Sequence, residues 1–366
     1  MNHRPLQGFR ILSLAEQYPG PYATMLLADL GAEVILIERP QGGDPTRKFP
    51  GLFNSFARNK KSIALDLKSG EDYEKFIELV RTSDVVLEGY RPGVVNRLKI
   101  SASDLSKIKS DLIYVSISAF GQSGPDAHMV GHDLSIQASS GMVDIKKGTE
   151  HHSAIPVLPM ADISSAIFAA LSVVTALLKR ERFGGSEEID ISMQDCLISW
   201  MSPFFVPKLN QWDVRPLPPT EPAYGIFLTK DAQQISLSIA GEDSMWEKLC
   251  VSLELLDLVK CKEDERTTRL EELRIRLRES ISRMNSSDLV DLLTKQGIAF
   301  APVKTVDQLL DDPHLKSRAI FKIYPSKDRM ETFISQPIKF KTFETEIQRG
   351  VPKLGEHNEL VLKPKD

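Results

Sequence analysis

Two residues able to exchange protons stand at the starts of predicted elements. His132 lies in Gly131-His132-Asp133, and Asp162 follows a turn-rich segment that closes on Pro156-Val-Leu-Pro159. From Ile163 an apolar helix signal runs to Leu178 and ends on Lys179-Arg180. Ile163, Ala166, Ile167, Ala170, Leu171, Val174 and Leu178 recur at helical spacing, which predicts one buried face. Asp162 sits where an N-cap belongs, and the basic pair sits where a helix end favours cations. An imidazole and a carboxylate at two element starts could share acid–base work. Each also has a plainer role open to it, as a cap or an ordinary loop histidine. His128, His151, His152 and Glu16 fit no metal-ligand spacing, and no metal is expected.

The elements that must position this pair alternate. Phe9 to Leu14 reads as a short buried strand, Tyr18-Pro-Gly-Pro21 as punctuation, and Tyr22 to Leu30 as a helix ending at Gly31. Glu33 to Ile37 is the next strand, so a right-handed parallel crossover is expected. Lys61 to Leu67, a helix around Glu71 to Arg81, Asp84 to Glu88 and Asp111 to Ile117 repeat the pattern. Alternating apolar strands and helices predict an α/β, doubly wound sheet. No GxGxxG follows the first strand, so no nicotinamide dinucleotide site is read there.

Pro203, Pro207, Pro216, Pro218, Pro219 and Pro222 then crowd one stretch with linker chemistry. Tyr224 to Thr229 and Ile235 to Ile239 read as a hairpin. Helices follow at Ser244 to Cys250, at Arg269 to Arg283, and from Ser286 to Gly297. The expected division is a large domain 1–205, a linker 206–222, a small domain 223–312 and a C-terminal segment 313–366 that returns to the large one.

Composition narrows the class. A chain of 366 residues with 42% hydrophobic and 26% charged residues is an ordinary globular protein. The net charge of -4 argues against nucleic-acid binding. Three scattered cysteines fit a reducing compartment. With no apolar leader, and its longest apolar stretch too short to span a bilayer, the chain is expected to be cytoplasmic.

An ordered set of motifs resembles the CoA-transferase family III, which includes the α-methylacyl-CoA racemases. It comprises Pro19-Gly-Pro-Tyr22, Leu27-Ala-Asp-Leu-Gly-Ala-Glu-Val34, Ile37-Glu-Arg-Pro40 and Asn59-Lys-Lys-Ser-Ile-Ala-Leu-Asp-Leu-Lys68. Glu88-Gly-Tyr-Arg-Pro-Gly93, Ser118-Ala-Phe-Gly-Gln-Ser-Gly-Pro125, Gly131-His-Asp133 and Ala161-Asp162 follow, and the matches continue to Leu354-Gly-Glu-His357. The resemblance implies a Rossmann-like large domain, a smaller α+β domain and an interlocked-ring homodimer. It implies an acyl-CoA thioester as substrate and no resident cofactor.

The resemblance leaves the chemistry open between two enzymes and a binder without turnover. In the transferases the carboxylate at the Asp162 position attacks the acyl-CoA carbonyl. In the racemases it shares α-proton transfer with the histidine of Gly-His-Asp, here His132. A helix N-terminus is expected to keep Asp162 ionised and to lend free amides to an oxyanion. The presence of both His132 and Asp162, with Glu242 where racemases place a supporting glutamate, puts the racemase reading first. Ser164-Ser165, where racemases often carry glycines, counts against it, and CoA transfer through Asp162 is the alternative. The resemblance also assigns Arg39, Lys60, Lys61, Arg91 and Arg97 to the CoA phosphates, and Asp133 to orienting its neighbour or the CoA.

Overall fold

Runs of β-branched and aliphatic residues such as Val34-Ile35-Leu36-Ile37 and Val85-Val86-Leu87 form the middle of a parallel sheet, where both faces must be covered. The computed structural model describes residues 4–143, 157–213, 221–326 and 330–362. His151, His152, Pro216, Pro218 and Pro219 lie outside these residues. The chain divides into two units, one of residues 1–203 with 318–366 and one of residues 204–317.

The first unit holds β1 (Arg10–Ser13), β2 (Glu33–Glu38), β3 (Lys60–Ala64), β4 (Val85–Glu88), β5 (Ile113–Ser118) and β6 (Glu187–Ser192). Their order is β3-β2-β1-β4-β5-β6, and every neighbouring pair is parallel. The α/β class and the parallel sheet expected from the alternation are therefore present. The connections carry α1 (Pro19–Asp29), α2 (Pro50–Ala57), α3 (Gly70–Arg81), α4 (Val94–Leu98), α5 (Ala102–Leu105), α6 (Asp133–Ser139) and α7 (Met160–Phe183). α8 (Met193–Trp200) follows β6 directly. Leu12, Ile35, Val86 and Tyr114 from the sheet meet Phe76 and Val80 of α3 in one buried cluster.

Two helices depart from expectation. α1 begins at Pro19, three residues before the predicted start, so the Pro-Gly-Pro run forms the first turn. Proline costs nothing there, since a first-turn N–H has no helical acceptor. α7 buries a different face from the predicted one. Ala166 and Ala170 are buried, but Leu171 is 57% and Leu178 51% exposed, and Ile167 is exposed as well. The buried face is built from Ala161, Ser164, Ser165, Ala169, Val173 and Ala176. Small residues let the helix lie close against α1 and α8, with which it packs, so Ile167, Leu171 and Leu178 are turned outward while Leu177 is buried. The serines are buried because their hydroxyls donate to Ala161 O at 3.1 and 2.8 Å. Contrary to the length read from sequence, α7 has 24 residues and is long and apolar enough to cross a membrane, but half of its apolar window is buried in this unit.

α9 (Ser202–Asn210) occupies the start of the expected linker. The second unit contains the antiparallel sheet β7 (Tyr224–Leu228), β8 (Gln234–Ser238) and β9 (Phe300–Pro302). α10 (Asp243–Ser252), α11 (Glu263–Thr268), α12 (Leu270–Ile281) and α13 (Ser286–Gln296) supply its other elements, followed by the short α14 (Val306–Leu310) and α15 (Pro313–Ser317). Trp246, Leu273 and Leu277 are fully buried here, and the Trp246 indole donates to Leu258 O at 2.8 Å. Arg266, also buried, forks onto both oxygens of Glu221 at 2.9 Å. The chain then adds β10 (Phe321–Pro325), β11 (Met330–Ile334) and α16 (Asn358–Leu362) to the first unit. Asn358 accepts from Ala64 N at 2.8 Å, and His357 N donates to Ser62 O at 2.9 Å, along β3.

The α1 turn generates a stability prediction. A Cβ at Gly20 would lie 2.1 Å from Ala15 Cβ, so the helix start and the strand end cannot both keep their places. Gly20→Ala should destabilise the protein by about 1–3 kcal/mol, the usual cost of overpacking. Urea unfolding should show a lower midpoint; an unchanged midpoint would mean that this close approach is not required.

Candidate active site

The strand order reverses at β1. From β1 the chain passes through α1 to β2 on one side, while β4 lies on the other. The loops leaving β1 and β4 therefore diverge, and in such sheets the crevice between them is where ligands bind. A cavity of about 180 Å³ occupies this position, lined among others by Glu16, Tyr90, Arg91, His132 and Asp162. Its other walls are mostly apolar, with Ile117, Met129, Val130 and Met193.

Two helix starts deliver the pair read from sequence. Gly131 has no room for a side chain, since a Cβ would meet Ile136 Cδ1 at 2.9 Å and Phe120 at 3.2 Å. His132 is the N-cap residue of α6, and its ring makes no capping bond. Asp162 is the third residue of α7 and not its N-cap, a position held by Pro159. The cap comes from outside the helix. Asp133 Oδ1 accepts from Ala161 N at 2.8 Å and from Asp162 N at 3.2 Å, while its Oδ2 accepts from Gln137 Nε2 at 2.6 Å.

This arrangement corrects the expected electrostatics. Burial first, and the Asp133 charge second, push the Asp162 carboxyl up to about 7. The helix start does not hold it in the ordinary carboxylate range, because a neighbouring anion already occupies the first amides. For the same reason the amides of Ala161 and Asp162 are not free to receive an oxyanion. Asp162 itself is half-buried, and no hydrogen bond engages its carboxylate among the described residues. Burial also raises Tyr18, next to Tyr22, with Asp162 and Asp133 contributing.

A second cavity of about 700 Å³ opens beyond the ends of β2 and β3, lined by Arg39, Lys68 and Arg97. Glu16 and Tyr90 line both cavities. Glu16 pairs with Arg39 at 3.4 Å; burial nonetheless pushes its carboxyl up to about 7, aided by Asp44 and Glu38 and opposed by Arg39.

The structure thus brings His132, Asp162 and Arg91 to one cavity and Arg39 and Arg97 to the next. Lys60 and Lys61 are not brought to either. Lys60 is fully buried, its ammonium donating to Pro21 O at 2.7 Å and Thr24 Oγ1 at 2.8 Å, and this burial keeps it from a phosphate. Lys61 stands at the amino end of the sheet, paired with Glu33. Glu242 lies in the second unit, exposed, with its carboxylate accepting from Ala240 N at 2.6 Å. One residue and one role escaped the sequence reading. Lys68, just past β3, carries the same signal as Arg39, a cation after the carboxyl end of a parallel strand. The capping role of Asp133 had no local signal, since cap patterns are read within one turn and its target is 28 residues away.

A model of the CoA-transferase family III matches residues 6–358. The succinyl-CoA:mesaconate CoA-transferase of Haloarcula hispanica is 31% identical over 98% of this chain and 95% of its own length. The mouse succinyl-CoA:glutarate CoA-transferase is 28% identical over 98% of this chain and 86% of its own. Among solved structures, Rv3272 from Mycobacterium tuberculosis superposes with a TM-score of 0.90 at 29% identity, covering 99% of this chain and 100% of that one. With the sheet-end cavity in place and the match running almost end to end, this chain belongs to the CoA-transferase family III.

Proposed function

We propose that the protein moves CoA between an acyl-CoA and a carboxylic acid, with Asp162 as the nucleophile. The observation that carries this reading is an unengaged, half-buried carboxylate facing the cavity at the reversal of the sheet. In the first step an Asp162 oxygen bonds to the acyl carbon, the C–S bond breaks and CoA thiolate leaves, giving a mixed anhydride. The thiolate then attacks the Asp162 carbonyl, releasing the donor acid and leaving an aspartyl-CoA thioester. The acceptor carboxylate enters by the same two steps in reverse, and Asp162 is regenerated. Walls that exclude water protect the anhydride from hydrolysis.

The names of the relatives support transfer over the racemase reading that the sequence put first. Relatives matched over 98% of this chain are named succinyl-CoA:mesaconate and succinyl-CoA:glutarate CoA-transferases. His132 then serves as a cavity wall. The racemase remains the second reading because His132 and Asp162 line one cavity. Arg39, Arg97 and Lys68 are proposed to hold the CoA phosphates around the second cavity, and Arg91 to guide the thioester arm between the two. A homodimer is proposed as well, since Ile167, Leu171 and Leu178 form an apolar stripe on α7. All three cysteines are unpaired, in keeping with a cytoplasmic location.

One experiment separates the two enzymes. The protein is incubated with succinyl-CoA and a second dicarboxylic acid in deuterated water, and thioesters and tryptic peptides are analysed by mass spectrometry. Transfer predicts new thioester without α-deuterium and an acyl or CoA adduct on the Asp162 peptide. It predicts no turnover for Asp162→Asn and at most a tenfold loss for His132→Ala. Attack needs the ionised carboxylate, and its pKa of about 7 places the loss on the acid side: initial rates should be flat above pH 8 and fall about tenfold per unit below pH 6. Deuterium at the α-carbon, with a loss of roughly 10²–10⁴-fold in His132→Ala, would instead support the racemase.

Arg97→Ala should weaken CoA binding by about 1.5–3 kcal/mol, as for a charge-assisted hydrogen bond, and leave the melting temperature unchanged. A melting shift as large as that of Gly20→Ala would make Arg97 structural. Sedimentation at nanomolar concentration should give the dimer mass; a folded monomer would defeat the assembly proposal.

A further inference from the structure

We propose that Asp133 is a positioning residue for Asp162: by occupying the first amides of α7 from a neighbouring helix, it leaves the Asp162 carboxylate turned into the cavity and not back onto its own helix. The inference rests on the reading of Asp162 as the nucleophile.

An acidic residue in the first turn of a helix usually finds its partner locally. From the third position its side chain reaches back to the amide of the N-cap or to the other free amides, as in a capping box. Asp162 has that position, but α7 leaves little for it to bond. Ala161 N and Asp162 N both donate to Asp133 Oδ1, and Ile163 N already donates to Pro159 O at 3.0 Å. Asp133 cannot readily turn away, because its other oxygen is held by Gln137 Nε2, and Gln137 is itself 1% exposed. That amide also donates to Leu158 O at 3.3 Å, immediately before the N-cap of α7. One buried glutamine thus ties the acidic cap to the turn that it caps.

The same contact fixes an anion beside the nucleophile. Asp162 is pushed up to about 7 by burial and by Asp133. The elements packed against α7 add little that could offset this charge. Tyr18 at the start of α1 is neutral, and α8 and β5 contribute Met193, Ile117 and Ser118 to the cavity. His132 stands before α6, and Arg91 and Glu16 lie across the cavity. A less stabilised carboxylate is a better nucleophile when ionised, so its surroundings bear on the attack on the acyl carbon.

The test reads Asp162 directly and needs no substrate. The full-length protein is labelled with aspartate carrying ¹³C at Cγ, and the Asp162 resonance is assigned by its absence in Asp162→Asn. Its titration midpoint should lie near pH 7 in the unmodified protein. Asp133→Asn keeps an acceptor for the two amides but removes the charge, and the midpoint should fall by about one unit or more. Asp133→Ala frees the amides; Asp162 should turn back onto them, and its midpoint should fall below that of the Asn variant. Asp133→Ser, a neutral capping residue, replaces the Asn variant should that one fail to fold. Midpoints within 0.2 units of the unmodified protein in both neutral-cap variants would overturn the electrostatic part. An Ala midpoint no lower than the neutral-cap value would overturn the positioning. If Asp162 carries no adduct in the succinyl-CoA experiment, the nucleophile reading fails while these titrations still stand or fall by themselves.

Discussion

The first unit depends on how closely α7 lies against its neighbours. A face mainly of alanines and serines, with Val173 and Leu177, sets that distance, and a larger residue at the small positions would lift the helix away from α1 and α8. The distance matters because Asp162 is near the amino end of α7, while the cavity lies at the carboxyl ends of β1, β4 and β5. Helix and sheet must meet closely for a short carboxylate to reach that crevice. Gly20 and Gly131 answer the same demand from the other side, each leaving space that even a methyl group would fill. The geometry of the site is thus set mainly by what is missing from side chains around it.

Charge completes what packing begins. A parallel sheet with helices after its strands gathers amides and basic residues at one end, and Arg39, Lys68 and Arg97 collect there. The Asp162 cavity has the opposite character, with apolar walls and a second carboxylate at its edge. Two adjoining compartments of contrasting polarity suit a substrate whose one end is polyanionic and whose other end is a reactive thioester. Glu16 and Tyr90 form part of the wall between them.

Much of this was legible in the sequence where the signal was local. Strands β1, β2, β4 and β5 announced themselves as apolar runs, and the β7–β8 hairpin as two alternating runs about a turn; β3, with two lysines and a serine, ends at Ala64 and not at the expected Leu67. β6 was missed as a strand because Glu187-Glu188 and Asp190 break its apolar run on an edge, with their side chains partly in solvent. The face of α7 was misread for another reason. Hydrophobicity ranks leucine above alanine, but close helix packing selects for small size, and Ser164 and Ser165 hid their polarity in bonds to Ala161 O. Lys60 and Lys61 matched basic positions by order along the chain. Neither order nor composition says that one ammonium is enclosed by Pro21 and Thr24 and the other faces the amino end of the sheet. The role of Asp133 lay furthest from view, since it depends on two helix starts meeting in space.

The discontinuity of the first unit has a consequence in time. β3 is an edge strand of the six-stranded sheet, and the bonds that Ser62 and Ala64 exchange with His357 and Asn358 join residues separated by 295 and 294 positions in the chain. During synthesis β3 is made long before the segment that accompanies it. The second unit, whose residues are contiguous, is complete before that segment exists. Until that segment is made, β3 carries an uncovered strand edge, the kind of surface on which nascent chains associate with one another.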